Sequence, residues 1–336
     1  MKPGWWRGGW TLLSMMACTP VAPTSPAPRA PVNEAVADQP RAGVPPEPVA
    51  RSEPDRPGPA PRASAPEPPP AEAEDFSCPD DMALVRRAQG PYCIDRWEAS
   101  IVVTADGGSE SPWPGNRKIY PVEARMRAVS VAGRKPQGYI SGEQAALACA
   151  RSHKRLCEID EWVRACKGPQ VTLYPYGNQR RPNLCNDRYR VLDHHPVARL
   201  FRQQAPPGTD PAQMWNPRWM NDPRLHDFSH TVTPTGAFDT CTNGYGVYDM
   251  VGNLHEWVAD PDGTFFGGFF MDTFQNGEGC EYRTVAHPVD YHDYSTGFRC
   301  CADPTPAPGG HEPYGVHGAQ PRAASPWKSH DNLHQR

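Results

Sequence analysis

Eleven cysteines in 336 residues constrain this chain more than any other feature. They are Cys18, Cys78, Cys93, Cys149, Cys157, Cys166, Cys185, Cys241, Cys280, Cys300 and Cys301. No two stand as Cys-x-x-Cys, the spacing that zinc ribbons and iron–sulfur sites use. A reducing cytosol rarely carries so many thiols without a metal, so the count points to export into an oxidising compartment. Setting Cys18 aside leaves an even number, enough for five bridges. A domain stapled in this way does not depend on long helices or strands.

Composition then divides the chain. Residues 19–75 are crowded with proline, hold no aromatic residue and few large aliphatics, and cannot bury enough apolar surface to offset chain entropy. They are expected to be a disordered tether. Residues 76–303 form the globular part, long enough for a full core. Residues 304–336, rich in Pro, Gly, His and Ser, are expected to be a disordered tail. The net charge is −4 with both signs mixed, which predicts no nucleic-acid partner. At the start, Lys2 and Arg7 precede a short apolar run over residues 8–17, too short to span a bilayer. Met15-Met16-Ala17-Cys18 follows and resembles the lipobox of bacterial lipoproteins, with Met15 where Leu is usual. Residues 1–18 are therefore expected to be a lipoprotein signal peptide, Cys18 the lipidated residue, and the membrane a partner through the lipid. Thr19 resembles the outer-membrane sorting pattern, which places the chain in the outer membrane or periplasm.

Within the domain, Cys78 and Cys93 bracket two short apolar runs joined at Gln89-Gly90-Pro91, the pattern of a hairpin that a Cys78–Cys93 bridge would close. Residues 141–153 carry a helix signal, with Ser141 and Gln144 as a capping box and an alanine-rich run behind it. A second helix is expected over residues 157–167. There Ile159, Trp162, Val163 and Cys166 share one face, and Gly168-Pro169 stops it. The remainder is short segments, turns and aromatics. Residues 188–230 form a long polar and aromatic insertion with Trp215 and Trp219. The expected class is α+β with little regular structure.

Three stretches, in order, resemble the formylglycine-generating enzyme (sulfatase-modifying factor) family. Lys154-Arg155-Leu156-Cys157-Glu158-Ile159-Asp160-Glu161-Trp162 is similar to its GKRLPTEAEWE motif, with Cys157 at the usual Pro. The run from Asn243-Gly244-Tyr245-Gly246-Val247-Tyr248-Asp249-Met250 through Val251-Gly252-Asn253-Leu254-His255-Glu256-Trp257 resembles NxYGLYDMxGNVWEW. Gly267-Gly268 and the later Gly297-Phe298-Arg299-Cys300 resemble its GGS…GFRC ending. The resemblance implies a formylglycine-generating-enzyme-like fold, related to C-type-lectin-like domains, together with export, disulfides and structural calcium. It places calcium ligands at Asp249 and Glu256 (side chains) and at Gly252 and Leu254 (backbone), with a second site near Asn183 and Leu184. Six to eight hard oxygens are what calcium requires. It also implies a Cys149–Cys300 bridge. Cys157–Cys301, Cys166–Cys185 and Cys241–Cys280 complete the expected set, with the Cys300 and Cys301 partners interchangeable.

The family's chemistry oxidises a substrate cysteine with O₂ at two thiolates that bind Cu(I), and soft thiolates suit that ion. Here Asp272 occupies the first cysteine position, and a carboxylate is a poor Cu(I) ligand. Cys280 is the next cysteine, and Met271 reads as packing. Asp272 and Cys280 are thus the weak catalytic candidates. Related ergothioneine-pathway enzymes hold iron, but His287, His292 and Asp293, and His194, His195 and His255, read as loop residues. Copper and iron are not expected. The reading is a non-catalytic module that binds an envelope protein or a glycan. The alternative is a metal-dependent oxidoreductase acting on a cysteine or small thiol.

Overall fold

A computed structural model describes residues 76–120, 122–187 and 194–307. The expected signal peptide over residues 1–18, Cys18, the Pro-rich segment and residues 308–336 lie outside the described residues.

The chain enters through β1 (Phe76–Ser77) and folds back as the hairpin β2 (Met82–Val85) and β3 (Tyr92–Asp95), paired Leu84 to Cys93. The Cys78–Cys93 bridge closes it as the spacing implies. β4 (Ala99–Thr104) pairs antiparallel with β5 (Glu110–Pro112) and β6 (Met126–Ser130). Helix α1 (Gly142–Ala150) starts at the predicted cap: Gln144 N donates to Ser141 Oγ at 3.2 Å, and Ser141 N donates back to Gln144 Oε1 at 3.2 Å. β7 (Arg155–Leu156) leads into α2 (Ile159–Lys167). Gly168, at φ +66°, ends α2, and a Cβ there would stand 2.9 Å from Asn243 Cβ.

Residues 194–230 hold α3 (Pro196–Gln204), α4 (Pro217–Met220) and single 3-10 turns. Each segment opens with a capping side chain followed by proline at the first helical position. His195, Asp210, Asn216 and Asp222 are those caps. The insertion expected over residues 188–230 is therefore folded wherever it is described.

β8 (His255–Trp257) lies between β9 (Phe265–Phe266), which also pairs β10 (Arg283–Thr284), and β11 (Thr296–Phe298), which runs parallel to it. β12 (Cys300–Ala302) joins β3 and β7. β13 (Thr305–Pro306) then pairs with β1. This last pair lies just beyond the expected boundary at residue 303 and brings Phe76–Ser77 beside Thr305–Pro306. The outcome is mixed α+β with short elements.

Five disulfides hold it. Cys149–Cys300 and Cys157–Cys301 form as expected, from adjacent residues of β12. The other two differ from expectation. Cys166 joins Cys280, and Cys185 joins Cys241, so the Cys166–Cys185 and Cys241–Cys280 pairings are exchanged. The reason is placement. Cys280 N donates to Leu173 O at 2.8 Å, which brings the 279–281 turn against the chain leaving α2. Thr240 Oγ1 donates to Leu184 O at 3.0 Å and sets Cys241 beside Cys185.

Candidate functional site

The segment from Tyr248 to Trp257 turns sharply because three of its residues take left-handed backbone: Asp249 (φ 58°), Gly252 (φ 84°) and Asn253 (φ 55°). At Gly252 a Cβ would sit 2.2 Å from Asn186 O, so only glycine allows that approach. Asn253 is the internal bracket. It receives Asn186 Nδ2 at 2.9 Å on Oδ1 and gives Nδ2 to Glu98 Oε2 at 2.5 Å. Leu254 N donates to Glu98 Oε1 at 3.1 Å. Glu98 is fully buried and was not singled out from the sequence.

Glu256 is also fully buried, and its carboxylate is fully used. Arg299 Nε and one terminal nitrogen reach its two oxygens at 2.6 Å each, and Trp162 Nε1 donates at 2.7 Å. Arg299 gives its remaining donors to Asp95 O at 3.1 Å and Tyr248 O at 2.8 Å. Asp249 Oδ2 accepts from Gly236 N at 2.7 Å. Burial pushes Asp249 up to about 6, against the pull of the Gly236 hydrogen bond and Arg299. Burial first, then the nearby charges of Asp249 and Glu256, hold Glu98 well above the usual carboxylate range.

Three of the six expected calcium ligands are otherwise placed. Glu256 is committed to Arg299 and Trp162. Asn183 is exposed, and Leu184 O is taken by Thr240. Among the described residues no three or more His, Cys, Asp or Glu side chains are grouped to hold a metal.

The Gly267–Gly268 strip is sealed. Phe269 N donates to Asp272 O and Asp272 N to Phe269 O, both at 2.9 Å, closing a tight turn. Asp272 is 3 % exposed. Its Oδ1 accepts from Phe274 N and Gln275 N at 3.1 Å each, and its Oδ2 accepts from Tyr282 OH at 3.2 Å. Phe269, Phe270 and Met271 pack into one apolar cluster with Val197, Phe201 and Trp219 of the 194–230 insertion. Cys280 is bridged to Cys166, and all ten cysteines of the described residues are in disulfides.

The histidines are scattered into separate roles. His255 lies among Phe265, Phe269 and Tyr282 at ring distances of 4.5, 4.9 and 5.5 Å, and burial, then His287, pushes it down to about 3. His287 stacks on Tyr291 at 3.9 Å. His195 caps α3 by accepting from Val197 N, and its Nε2 meets Tyr294 OH at 3.1 Å. His292 bonds Asn221, and Asp293 accepts from Tyr291 OH and Ser295. No contact of His194 with these residues is seen.

Near the Asp249 turn the surface carries a pocket lined in part by Trp97 and Tyr248. Sequence reasoning missed it. The signal available was two aromatic–acid pairs, Trp97-Glu98 and Tyr248-Asp249, whose carboxylates point inward while the rings remain part-exposed.

The sulfatase-modifying factor enzyme 1-like domain matches residues 113–303, more than half of the chain. The chain belongs to this family. Its relatives include the inactive C-alpha-formylglycine-generating enzyme 2 of Bos taurus, 27% identical over 185 residues, 52% of each chain. The formylglycine-generating enzyme of Mus musculus is 27% identical over 196 residues, 51% of this chain and 45% of that one. That of Thermomonospora curvata is 25% identical over 229 residues, 58% of this chain and 65% of that one. The chain spans about half the length of the curated mammalian relatives it matches. The family assignment agrees with the motifs at Lys154–Trp162, Asn243–Trp257 and Gly297–Cys300, and with a mixed, disulfide-stapled fold.

Proposed function

We propose that this family member is a non-catalytic binding module, held at the bacterial cell envelope by a lipid on Cys18, whose ligand is an envelope protein or another surface component. One observation carries the non-catalytic reading. Every cysteine of the described domain is bridged, and the residue after Met271 is a buried aspartate held by Tyr282 and two backbone N–H groups. A sulfur in a disulfide offers no thiolate to Cu(I), and a carboxylate is a hard ligand. Relatives named as inactive are compatible with this. The anchor rests on the Lys2–Cys18 segment described above.

The test supplies purified full chain with Cu(I), O₂ and a peptide bearing Cys-x-Pro-x-Arg, and looks for aldehyde by mass spectrometry. No aldehyde is expected. Turnover would establish the oxidoreductase alternative instead. Labelling with a radioactive or clickable fatty acid in cells, lost on Cys18→Ala, tests the anchor.

A further inference from the structure

The pocket at Trp97 has a volume of about 420 Å³, and Gly133, Pro234, Gly236, Asp239 and Tyr248 share its lining. Its walls are fixed before any ligand arrives. Gly133 N donates to Thr235 O at 2.9 Å, Thr235 N to Arg134 O at 3.0 Å, and Thr235 Oγ1 to Val131 O at 2.8 Å, tying the two rim loops together. Gly236, at φ +70°, lets the rim close over Trp97: a Cβ there would already stand 3.4 Å from the indole nitrogen. Trp97 N donates to Ser130 Oγ and Tyr248 N to Arg96 O, which anchors the backbone of both aromatic residues. Their rings lie 16° from parallel with centroids 6.1 Å apart.

The lining has a definite charge. Asp239 is exposed and has no ion-pair partner among the described residues. The Asp249 carboxylate lies behind the rim, bonded to Gly236 N. Neither nearby guanidinium lines the pocket: Arg96 is turned to the carbonyls of Asp80, Tyr245 and Gly246, and Arg134 stands outside the lining. Aromatic faces carry the negative end of the ring quadrupole and attract cations. A concave surface of one sign concentrates counter-charge. An anion would meet Asp239 and the ring faces unfavourably, and a neutral apolar group would leave the carboxylate unused.

We propose that this pocket binds an organic ammonium group, seated against the Trp97 and Tyr248 rings with Asp239 as its counter-charge. It gives a ligand class to the binding module and rests on that reading. The ammonium comes either from a small quaternary amine or from a lysine side chain of a partner protein.

Calorimetric titration and tryptophan fluorescence of the full chain test this with four probes: choline, N-acetyl-lysine amide, the neutral isostere 3,3-dimethylbutan-1-ol, and methyl glucoside. One of the two cations is expected to bind at least ~10-fold tighter than the neutral isostere, and the better one identifies the source. Trp97→Ala is expected to weaken binding roughly 2- to 30-fold, the span of a cation–π contact. Trp97→Phe, which keeps a ring, should retain most of it, and Asp239→Asn should weaken it and flatten its salt dependence. Equal binding of isostere and cation, preference for the glucoside, or no binding by any probe would each overturn the proposal. The aldehyde assay on the same preparation separates the two readings. Aldehyde together with cation binding removes only the non-catalytic reading. No aldehyde and no cation binding removes only this one.

Discussion

The strip Phe269–Asp272 and the pocket at Trp97 and Tyr248 are served by one loop and treated in opposite ways. Tyr248, at the start of that loop, lines the pocket, and five residues later Asn253 O accepts from Phe270 N at 3.1 Å. Side chains of the 194–230 insertion fill the first region. No side chain of the insertion lines the second, and its rim is tied to the buried Asp249 carboxylate through Gly236 N. Disulfides and the buried Glu256–Arg299 pair hold the scaffold around both regions.

The contrast breaks first at Arg299. Arg299→Met leaves Glu256 charged and unpaired in the interior, and the expected loss is about 3–5 kcal/mol in urea unfolding. Adding Glu256→Gln should recover part of it. A single-variant loss below about 1 kcal/mol would show that water already reaches the pair. Next comes the filled region itself. Phe270→Ala is expected to cost about 3–4 kcal/mol, whereas Trp97→Ala on the open side should stay within about 1 kcal/mol. Equal costs would erase the distinction.

A smaller effect follows pH. His255 has its folded value lowered from 6.5 to about 3, so the unfolded chain binds the proton first and stability falls as pH drops from about 6.5 toward 3. Asp249 works the other way. Raised from 3.8 to about 6, it takes up a proton more readily when folded, and stability rises as pH falls through that window. His255→Phe should therefore remove a loss on the order of 1 kcal/mol per pH unit between pH 6 and 4. An unchanged pH profile would mean that His255 is charged within the fold. The smallest expected effect is that of chelation. Because Glu256 is already satisfied, EDTA should shift the unfolding temperature by no more than about 1 °C, and a large drop would show calcium binding coupled to folding.

Much of this was legible in the chain. The capping box at Ser141, the face Ile159–Trp162–Val163–Cys166, the glycine stop at Gly168 and the hairpin between Cys78 and Cys93 are local patterns, and local patterns carry their own geometry. The partners of Cys166 and Cys185 were not legible, because an even count fixes no connectivity and the bridge that forms depends on where the 279–281 turn lands. The burial of Asp272 was not visible, since its carboxylate is enclosed by Tyr282 OH and the backbone N–H groups of Phe274 and Gln275. Glu98 lies 155 residues from the Asn253 it holds, and no spacing rule joins the two. The pocket escaped for the same reason.

The paired bridges of β12 have a mechanical meaning. Cys300 is tied to Cys149 and its neighbour Cys301 to Cys157, while Cys78 is tied to Cys93 and β1 lies beside β13. A pull applied at the two ends of the domain first peels β1 from β13. Tension then passes through Cys78–Cys93 and reaches β12 by the Cys149 crosslink. The chain between Cys149 and Cys300, 151 residues apart, is shunted out of the load path. Trp97 lies on the strained side and Tyr248 on the slack side.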